Sequence, residues 1–177
     1  RGPIGAGDRA APRKRGMRVG WNARLSGRGV DPTPAMRSLR AKRGWDYWRR
    51  KCRPGRLPAR ADIDPAEFPD LLPYIVLIQV CRDPLDFVER VTGGEVLRHS
   101  TESSMNRSWL DYPGRGPDSK IWQHYEEVVR TGEPSFESVP YVGPHRDFLY
   151  VELLSCPLAE DGRTVDRVFS VVDYLPR

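Results

Sequence analysis

The stretch DSKIWQHYEEVVRTGEP, residues 118–134, carries the clearest structural signal in the chain. Its apolar side chains recur every three or four residues, a spacing that predicts an amphipathic helix with one face turned inward. Asp118 can cap the first turn, and Gly132 followed by Pro134 ends a helix in the expected order. The predicted helix runs to about Thr131, with an apolar stripe of Ile121, Trp122, Tyr125, Val128 and Val129.

Strands are predicted on both sides of this helix, and they cluster instead of alternating with helices. Before it, a turn at Asp83-Pro84 joins two strands into a hairpin, over 74–81 and 87–92, and a short helix is predicted from Glu95 to His99. After it, three more strands are predicted over 136–142, 148–156 and 165–174. This order predicts an α+β fold with a five-stranded antiparallel sheet and helices inserted between the second and third strands.

The N-terminal third of the chain differs in composition from the rest. Residues 1–35 are rich in Gly, Pro, Arg and Ser with no apolar period, which predicts a disordered basic tail. A helix is predicted from about Met36 to Cys52, within an N-terminal helical segment of residues 36–56. Residues 57–177 are predicted to form the α+β domain.

Charge is divided unevenly along the chain. Residues 1–60 hold 18 lysines and arginines and 3 acidic residues, a net charge of +15, whereas residues 61–177 hold 11 and 21, a net charge of −10. Such a basic segment can indicate contact with nucleic acid, an anionic membrane or an acidic partner. The alternative is that the segment is only solvated, or folds against its own acidic domain. No run approaches the roughly 18 apolar residues of a membrane-spanning helix, and no secretory signal is evident, so we expect a cytoplasmic protein.

No catalytic or metal-binding residues are predicted. Cys52, Cys81 and Cys156 are far apart, without a CxxC pair or a nearby His, so we expect reduced, buried thiols. His99 and His145 lie in predicted loops without a partner at metal-ligand spacing. Because the chain also lacks a Ser-His-Asp pattern, a Walker loop and a dinucleotide-binding turn, we predict that it is not an enzyme.

Several short motifs give this order of elements a family resemblance. Asp64-Pro65-Ala66-Glu67 starts a helical turn in which Glu67 can reach back to the cap. Further motifs are Arg60 to Pro65 followed by Leu71-Leu72-Pro73, Arg90-Val91-Thr92-Gly93, Gly132-x-Pro134, and Cys156-Pro157-Leu158 with Asp161-Gly162. Together they resemble a PAS subfamily found mainly in alphaproteobacteria, in which a Trp-containing helix precedes an Arg-x-Asp-Ile-Asp-Pro segment and a Leu-Leu-Pro. The resemblance covers about residues 38–175, with departures at Gly94 and Asn106.

The resemblance implies a sheet closed over by the helix at 118–131, with a small molecule, haem, flavin or metabolite between them, or a dimer contact. The side chains that could line such a pocket, or equally form plain core, are Phe87, Val91, Trp109, Trp122, Tyr125, Phe136, Phe148 and Tyr150. In similar domains a helix before the first strand often packs on a partner subunit. Its contact face here would be Met36, Leu39, Trp45 and Trp48, unless that face covers the chain's own sheet.

No cofactor is required by the sequence. A haem would use an axial His on the long helix, and His124 lies there. However, His124 falls at the edge of the apolar stripe, between Lys120 and Glu127 at helical spacing, so it is predicted to be solvated. No cysteine stands in the context that a flavin photosensor of the light-oxygen-voltage type needs.

Three functions remain open from the sequence. The first is a stand-alone PAS-like sensory or interaction module in bacterial signalling, acting with a small-molecule ligand, as a homodimer or with a signalling protein. The second is a nucleic-acid-binding regulator that uses the basic N-terminal segment, where Trp21, Trp45, Tyr47 and Trp48 lie among arginines. The third is a small α+β enzyme with a cone-shaped pocket, which would need a carboxylate or His inside its apolar cavity.

Overall fold

A five-stranded antiparallel sheet, in the order β2-β1-β5-β4-β3, organises the chain. The structure is a computed structural model that describes residues 32–100, 102–140 and 148–176. Its strands are β1 (Ile75–Cys81), β2 (Asp86–Thr92), β3 (Ser135–Pro140), β4 (Phe148–Leu158) and β5 (Arg167–Pro176). All neighbouring strands pair antiparallel, which confirms the predicted α+β fold class.

Helices α1 (Leu39–Lys51), α2 (Gly94–Arg98) and α3 (Lys120–Thr131) accompany the sheet. As predicted, α2 and α3 lie between β2 and β3 in the chain. The predicted cap of α3 is wrong by one residue, because Ser119 Oγ, not Asp118, accepts the hydrogen bond from the Trp122 amide. At the other end Gly132 adopts φ 67°, a left-handed conformation that glycine accommodates without strain.

Two further boundaries differ from the prediction for local reasons. α1 begins at Leu39 instead of Met36, because Ser38 Oγ caps the helix by accepting from the Ala41 amide at 2.9 Å. β5 begins two residues later than predicted, because the Asp166 carboxylate closes the preceding turn by accepting from the Glu160 amide at 2.7 Å. Residues 1–31 of the predicted tail and positions 141–142 of the predicted third strand lie outside the described residues.

The two faces of the sheet are covered by different helices. α1 covers one of them, the outer face, where Gly44 lies against Val171 and Leu154. α3 covers the opposite, inner face, where its side chains reach Ser155 and Ser170. Side chains alternate between the two faces along each strand, and partners directly opposite in register share a face. The strand pairing therefore shows on which face each of the remaining strand residues lies.

Gly44 is the point at which α1 touches the sheet most closely. A Cβ atom at this position would overlap Val171 Cγ2 and approach Leu154 Cδ2 to 3.7 Å. The neighbouring Trp45 and Trp48 are buried, and Trp48 Nε1 donates to the carbonyl of Pro157 at 2.9 Å. The glycine that weakens the helix in isolation therefore permits the close packing that stabilises it in the fold.

Two buried carboxylates of the sheet hold the start of α1. Glu152 on β4 accepts hydrogen bonds from the backbone amides of Arg37, at 3.1 Å, and Ser38, at 2.9 Å. Asp173 on β5 accepts from Ser38 Oγ at 2.6 Å and from Arg40 Nη1 at 3.1 Å. Negative charge is favoured at a helix N-terminus, so these contacts fix where α1 begins and how it lies on the sheet.

The segment leading into β1 is tied to α1 through Tyr47. Asp64 caps a short turn by accepting from the Ala66 amide at 2.9 Å, as predicted. The prediction that Glu67 reaches back to this cap is wrong, because Glu67 instead accepts from Tyr47 Oη at 2.7 Å and pairs with Lys51 Nζ at 2.6 Å. These two hydrogen bonds, from Lys51 and Tyr47, lower the pKa of Glu67.

Candidate functional site

Four aromatic rings meet between the inner face of the sheet and α3. Phe87 on β2 lies 4.8 Å from Trp122 and 5.5 Å from Trp109, measured between ring centroids, and Trp109 lies 5.4 Å from Tyr125. All three contacts are edge-to-face, the geometry that aromatic quadrupoles favour. Four of the predicted pocket residues are thus brought together, and all four are buried.

Trp109 has a buried hydrogen-bond donor without an acceptor. Its side chain has 0% exposure, and Nε1 makes no hydrogen bond to any residue that the structure describes. The Arg115 guanidinium lies 5.0 Å from the centre of the same ring and covers it from the loop. Because an unsatisfied buried donor costs about 1–3 kcal/mol, the indole N–H is a ready contact for an acceptor atom.

A line of hydrogen bonds crosses the sheet beside these rings. Tyr125 Oη lies 3.0 Å from Ser170 Oγ, which lies 3.0 Å from Ser155 Oγ, and that hydroxyl lies 2.8 Å from His124 Nε2. Burial raises the pKa of Tyr125 to about 12, so its phenol stays protonated at neutral pH. The inner face therefore combines an aromatic cluster with a row of hydrogen-bonded polar groups.

His124 is buried, so the prediction that it is solvated is wrong. Its Nε2 is bonded to Ser155, and its Nδ1 lies 3.3 Å from Glu137 Oε1 on β3 and 3.5 Å from Ser135 Oγ. The hydroxyls of the strands beneath α3 give the imidazole polar partners that the apolar stripe alone does not reveal. With both nitrogens engaged, His124 would have to break one of these contacts to ligate a haem iron.

Glu137, His124 and Ser155 have the order of an acid, a base and a hydroxyl, which is the arrangement of a nucleophilic triad. Ser155 nevertheless has 0% exposure and shares its hydroxyl with Ser170. A substrate carbonyl cannot approach such an oxygen in this conformation, so the arrangement acts as a structural hydrogen-bond network. That the chain is not an enzyme stays a prediction from its sequence.

Glu89 is a buried carboxylate that the sequence analysis did not single out. It accepts from Ser104 Oγ at 2.6 Å and from Thr92 Oγ1 at 2.9 Å, and Arg115 Nη1 lies 3.6 Å away. Its partners Ser104 and Arg115 belong to the segment 102–119, which has no helix or strand and covers the aromatic cluster through Arg115. The sequence could have indicated this burial, because Glu89 is two residues from Phe87 on the same strand and therefore lies on the same face.

The other predicted pocket residues lie elsewhere. Phe136 pairs with Leu154, Val91 pairs with Leu77, and Tyr150 lies beneath the Arg37 guanidinium beside α1. These positions are on the outer face, so the prediction that they line the same pocket as Trp109 is wrong. The side chain of Phe148 lies outside the described part of the chain.

The predicted partner-contact face is mostly occupied by the chain itself. Met36, Trp45 and Trp48 are buried in the core on the outer side of the sheet, which is the alternative that the sequence left open. Leu39 is 77% exposed and is the residue of the predicted set that a partner can reach. A partner contact through α1 stays a prediction.

The cysteines are free, and Cys156 is buried while Cys52 and Cys81 are half-buried. Burial raises the pKa of the Cys52 thiol to about 12 and that of Cys156 well above its usual value, which leaves both in the unreactive thiol form. Among the described residues, no cluster of three or more His, Cys, Asp or Glu side chains could hold a metal ion. No described helix has both the length and the apolar character needed to cross a bilayer.

A surface cavity of about 510 Å³ lies next to Trp109 in the chain. It is lined by residues 110–114 and 116–119, which lead into the first turn of α3. The segment that covers the aromatic cluster thus also forms the walls of the cavity.

Comparison with known proteins identifies the family. Among solved structures, the chain is similar to the crystal structure of a sensory box sensor histidine kinase from Vibrio cholerae, with 19% sequence identity and a TM-score of 0.45. That match covers 63% of this chain and 90% of the other. No curated protein matches. The sequence model of the PAS domain matches residues 36–172, and the chain therefore belongs to the PAS domain family.

Proposed function

We propose that this chain is a sensory module of bacterial signalling that binds a small molecule between α3 and the inner face of the sheet. Membership of the PAS domain family supports the signalling role. The observation that carries the proposal is the buried Trp109 Nε1–H, which has no acceptor among the described residues. A fold that leaves such a donor in its core loses stability, and a bound acceptor atom restores it.

The surroundings of Trp109 specify the class of ligand. The rings of Trp122 and Tyr125 lie within 6 Å of that of Phe87, measured between centroids, and together they offer faces and edges that suit an aromatic or apolar body. The Tyr125 hydroxyl and the Ser170 hydroxyl offer further hydrogen bonds. The ligand is therefore an aromatic or apolar small molecule that carries at least one hydrogen-bond acceptor.

Entry of this ligand requires the segment 102–119 to move. The rings are packed against one another, so Trp109 has to shift before a molecule fits beside it. Glu89 holds the segment through Ser104 and Arg115, and the Trp109 amide donates to the Phe87 carbonyl at 3.0 Å, so these contacts oppose the shift. Binding is thereby linked to the position of a loop on the surface, where a partner can detect the change.

The output of the sensor is a second part of the proposal. A homodimer or a signalling protein partner receives the change, and Leu39 at the exposed start of α1 is the apolar residue available for that contact. Burial of Met36, Trp45 and Trp48 leaves small-molecule sensing as the better supported role.

Native mass spectrometry of protein purified from cells without unfolding tests the proposal. We expect a mass increment under native conditions that disappears on denaturation. Trp109→Phe keeps an aromatic ring but removes the donor, so it should retain far less ligand, whereas Trp48→Phe on the outer face should retain as much as the wild type. The proposal fails if the wild type carries no ligand, or if Trp109→Phe retains the same fraction.

A further inference from the structure

The solvent-facing side of α1 is almost entirely cationic. Its apolar side is sealed against the sheet, with Ala41, Gly44, Trp45 and Trp48 buried. The exposed and half-buried positions on the opposite side are Leu39, Lys42, Arg43, Asp46, Arg49, Arg50 and the following Arg53, which are five cations, one carboxylate and one leucine with a net charge of +4. We call this set the α1 basic face.

Few of these cations are neutralised by the protein itself. Arg43 pairs with Asp70, and just off this face Lys51 pairs with Glu67. Within the described ranges, Lys42, Arg49 and Arg50 form no ion pair with a carboxylate. Charge left uncompensated along one line of a helix attracts an anionic partner.

The chemistry of the face restricts the partner. Protein interfaces are centred on apolar and aromatic side chains, and the large apolar residue exposed on this helix is Leu39 at its start. Binding to a bilayer through an amphipathic helix needs an apolar face for insertion, and that of α1 is buried in the core. A surface of cations with almost no apolar component fits a partner with dense, regular negative charge, whose binding is driven by counterion release.

We infer that the α1 basic face binds the phosphate backbone of duplex nucleic acid. Lys42 and Arg50 are eight residues apart, about 12 Å along a helix. A duplex carries one negative charge per roughly 1.7 Å of its axis with both strands counted, so about 12 Å of duplex carries about seven phosphates, and the face meets those on the near side. Trp45, Tyr47 and Trp48, the aromatic residues near these cations, are buried, so they cannot stack on the bases of a single strand, and the face offers cations for phosphates instead.

The experiment measures binding of the full chain to a fluorescent DNA duplex by anisotropy, over a series of salt concentrations. In Lys42→Gln/Arg49→Gln/Arg50→Gln, we expect binding at about 50 mM salt to weaken more than tenfold. The negative slope of log K against log salt should become shallower by about 3, since each lost phosphate contact removes about 0.9 from its magnitude.

A matched control removes the same net charge from the α3 side of the molecule. Arg98→Gln/Lys120→Gln/Arg130→Gln changes three exposed cations and should keep the affinity and the slope of the wild type. Circular dichroism confirms that both variants remain folded.

Several outcomes overturn the inference. They are no duplex binding by the wild type at about 50 mM salt, an α1 variant that binds like the wild type, or equal losses in both triple variants. Binding to vesicles rich in anionic lipid without binding to DNA would assign the face to a membrane surface instead. Salt-sensitive self-association without DNA binding would assign it to the acidic surface of a second copy.

Discussion

Replacement of Gly44 by alanine should destabilise the protein, against the usual effect of this substitution. In an exposed helix, Gly to Ala contributes about 1 kcal/mol of stability. At Gly44 the new methyl group would overlap Val171 Cγ2, which belongs to the central strand β5 and cannot withdraw without distorting the sheet. Overpacking of a well-filled core costs about 1–3 kcal/mol, so after the gain in helix propensity we expect a net loss of up to about 2 kcal/mol.

Two variants separate the steric effect from other consequences. Gly94→Ala, at the start of α2, places a Cβ with no atom within 4 Å and should leave stability unchanged or raise it by up to about 1 kcal/mol. Val171→Ala removes the overlapping methyl group and should cost about 2 kcal/mol alone. In the double variant of Gly44 and Val171 the added methyl fills the space, so the two costs should fall short of additivity by at least about 1 kcal/mol.

Equilibrium urea unfolding, followed by circular dichroism and tryptophan fluorescence, gives the free energies of unfolding. A Gly44→Ala variant that equals or exceeds the wild type in stability, with an unchanged m-value, would show that the added methyl group does not clash with β5. Strict additivity with Val171→Ala would also show this, because the two positions would then not be in contact.

Two further predictions concern buried polar groups. Glu152→Ala leaves the Arg37 and Ser38 amides without their acceptor, so the free energy of unfolding should fall by about 3 kcal/mol. The amides of α1 should also exchange hydrogen faster. Unchanged exchange across α1 would contradict the anchoring role. Tyr125 has a pKa of about 12 in the folded protein and about 10 in the unfolded chain. Its contribution to the free energy of unfolding is therefore fully present below pH 10 and is lost as the pH rises to about 12. Urea unfolding at pH 9 and 11 should therefore show a smaller alkaline loss in Tyr125→Phe than in the wild type, and equal losses would argue against the buried phenol.

The order of elements could be read from the sequence because each depends on local patterns. The apolar period of α3 and its Gly132 stop, and the capped turn at Asp64, are decided by neighbouring residues. The same holds for the clustering of strands that indicated an antiparallel sheet. These predictions were confirmed to within a few residues.

The side of the sheet on which a residue lies could not be predicted in the same way. Alternation divides a strand into two sets, but it does not say which set faces α3. Phe136, Val91 and Tyr150 were therefore assigned to the pocket although they lie on the side of α1. The irregular pairing between β1 and β2, at Leu77/Ile78, adds to the difficulty because it shifts the phase within β2.

Polar residues in the core were the second source of error. His124 is hydrophilic by type, so its place at the edge of an apolar stripe indicated solvent. It is buried because Ser155 and Glu137, distant in the chain, supply hydrogen-bond partners. The burial of the Glu89 carboxylate, and of a Trp109 N–H for which the described residues supply no acceptor, likewise becomes visible only in the folded chain.

The indole N–H resonance of Trp109 gives the most direct test of ligand binding at the inner face. Nitrogen–proton correlation spectra would be compared for protein purified without unfolding and for protein that has been unfolded, dialysed and refolded. We expect the Trp109 resonance to differ between the two samples and to be protected from solvent exchange in the first, while that of Trp48, bonded to Pro157 on the outer face, stays in place. Coincident Trp109 resonances in the two samples would contradict it.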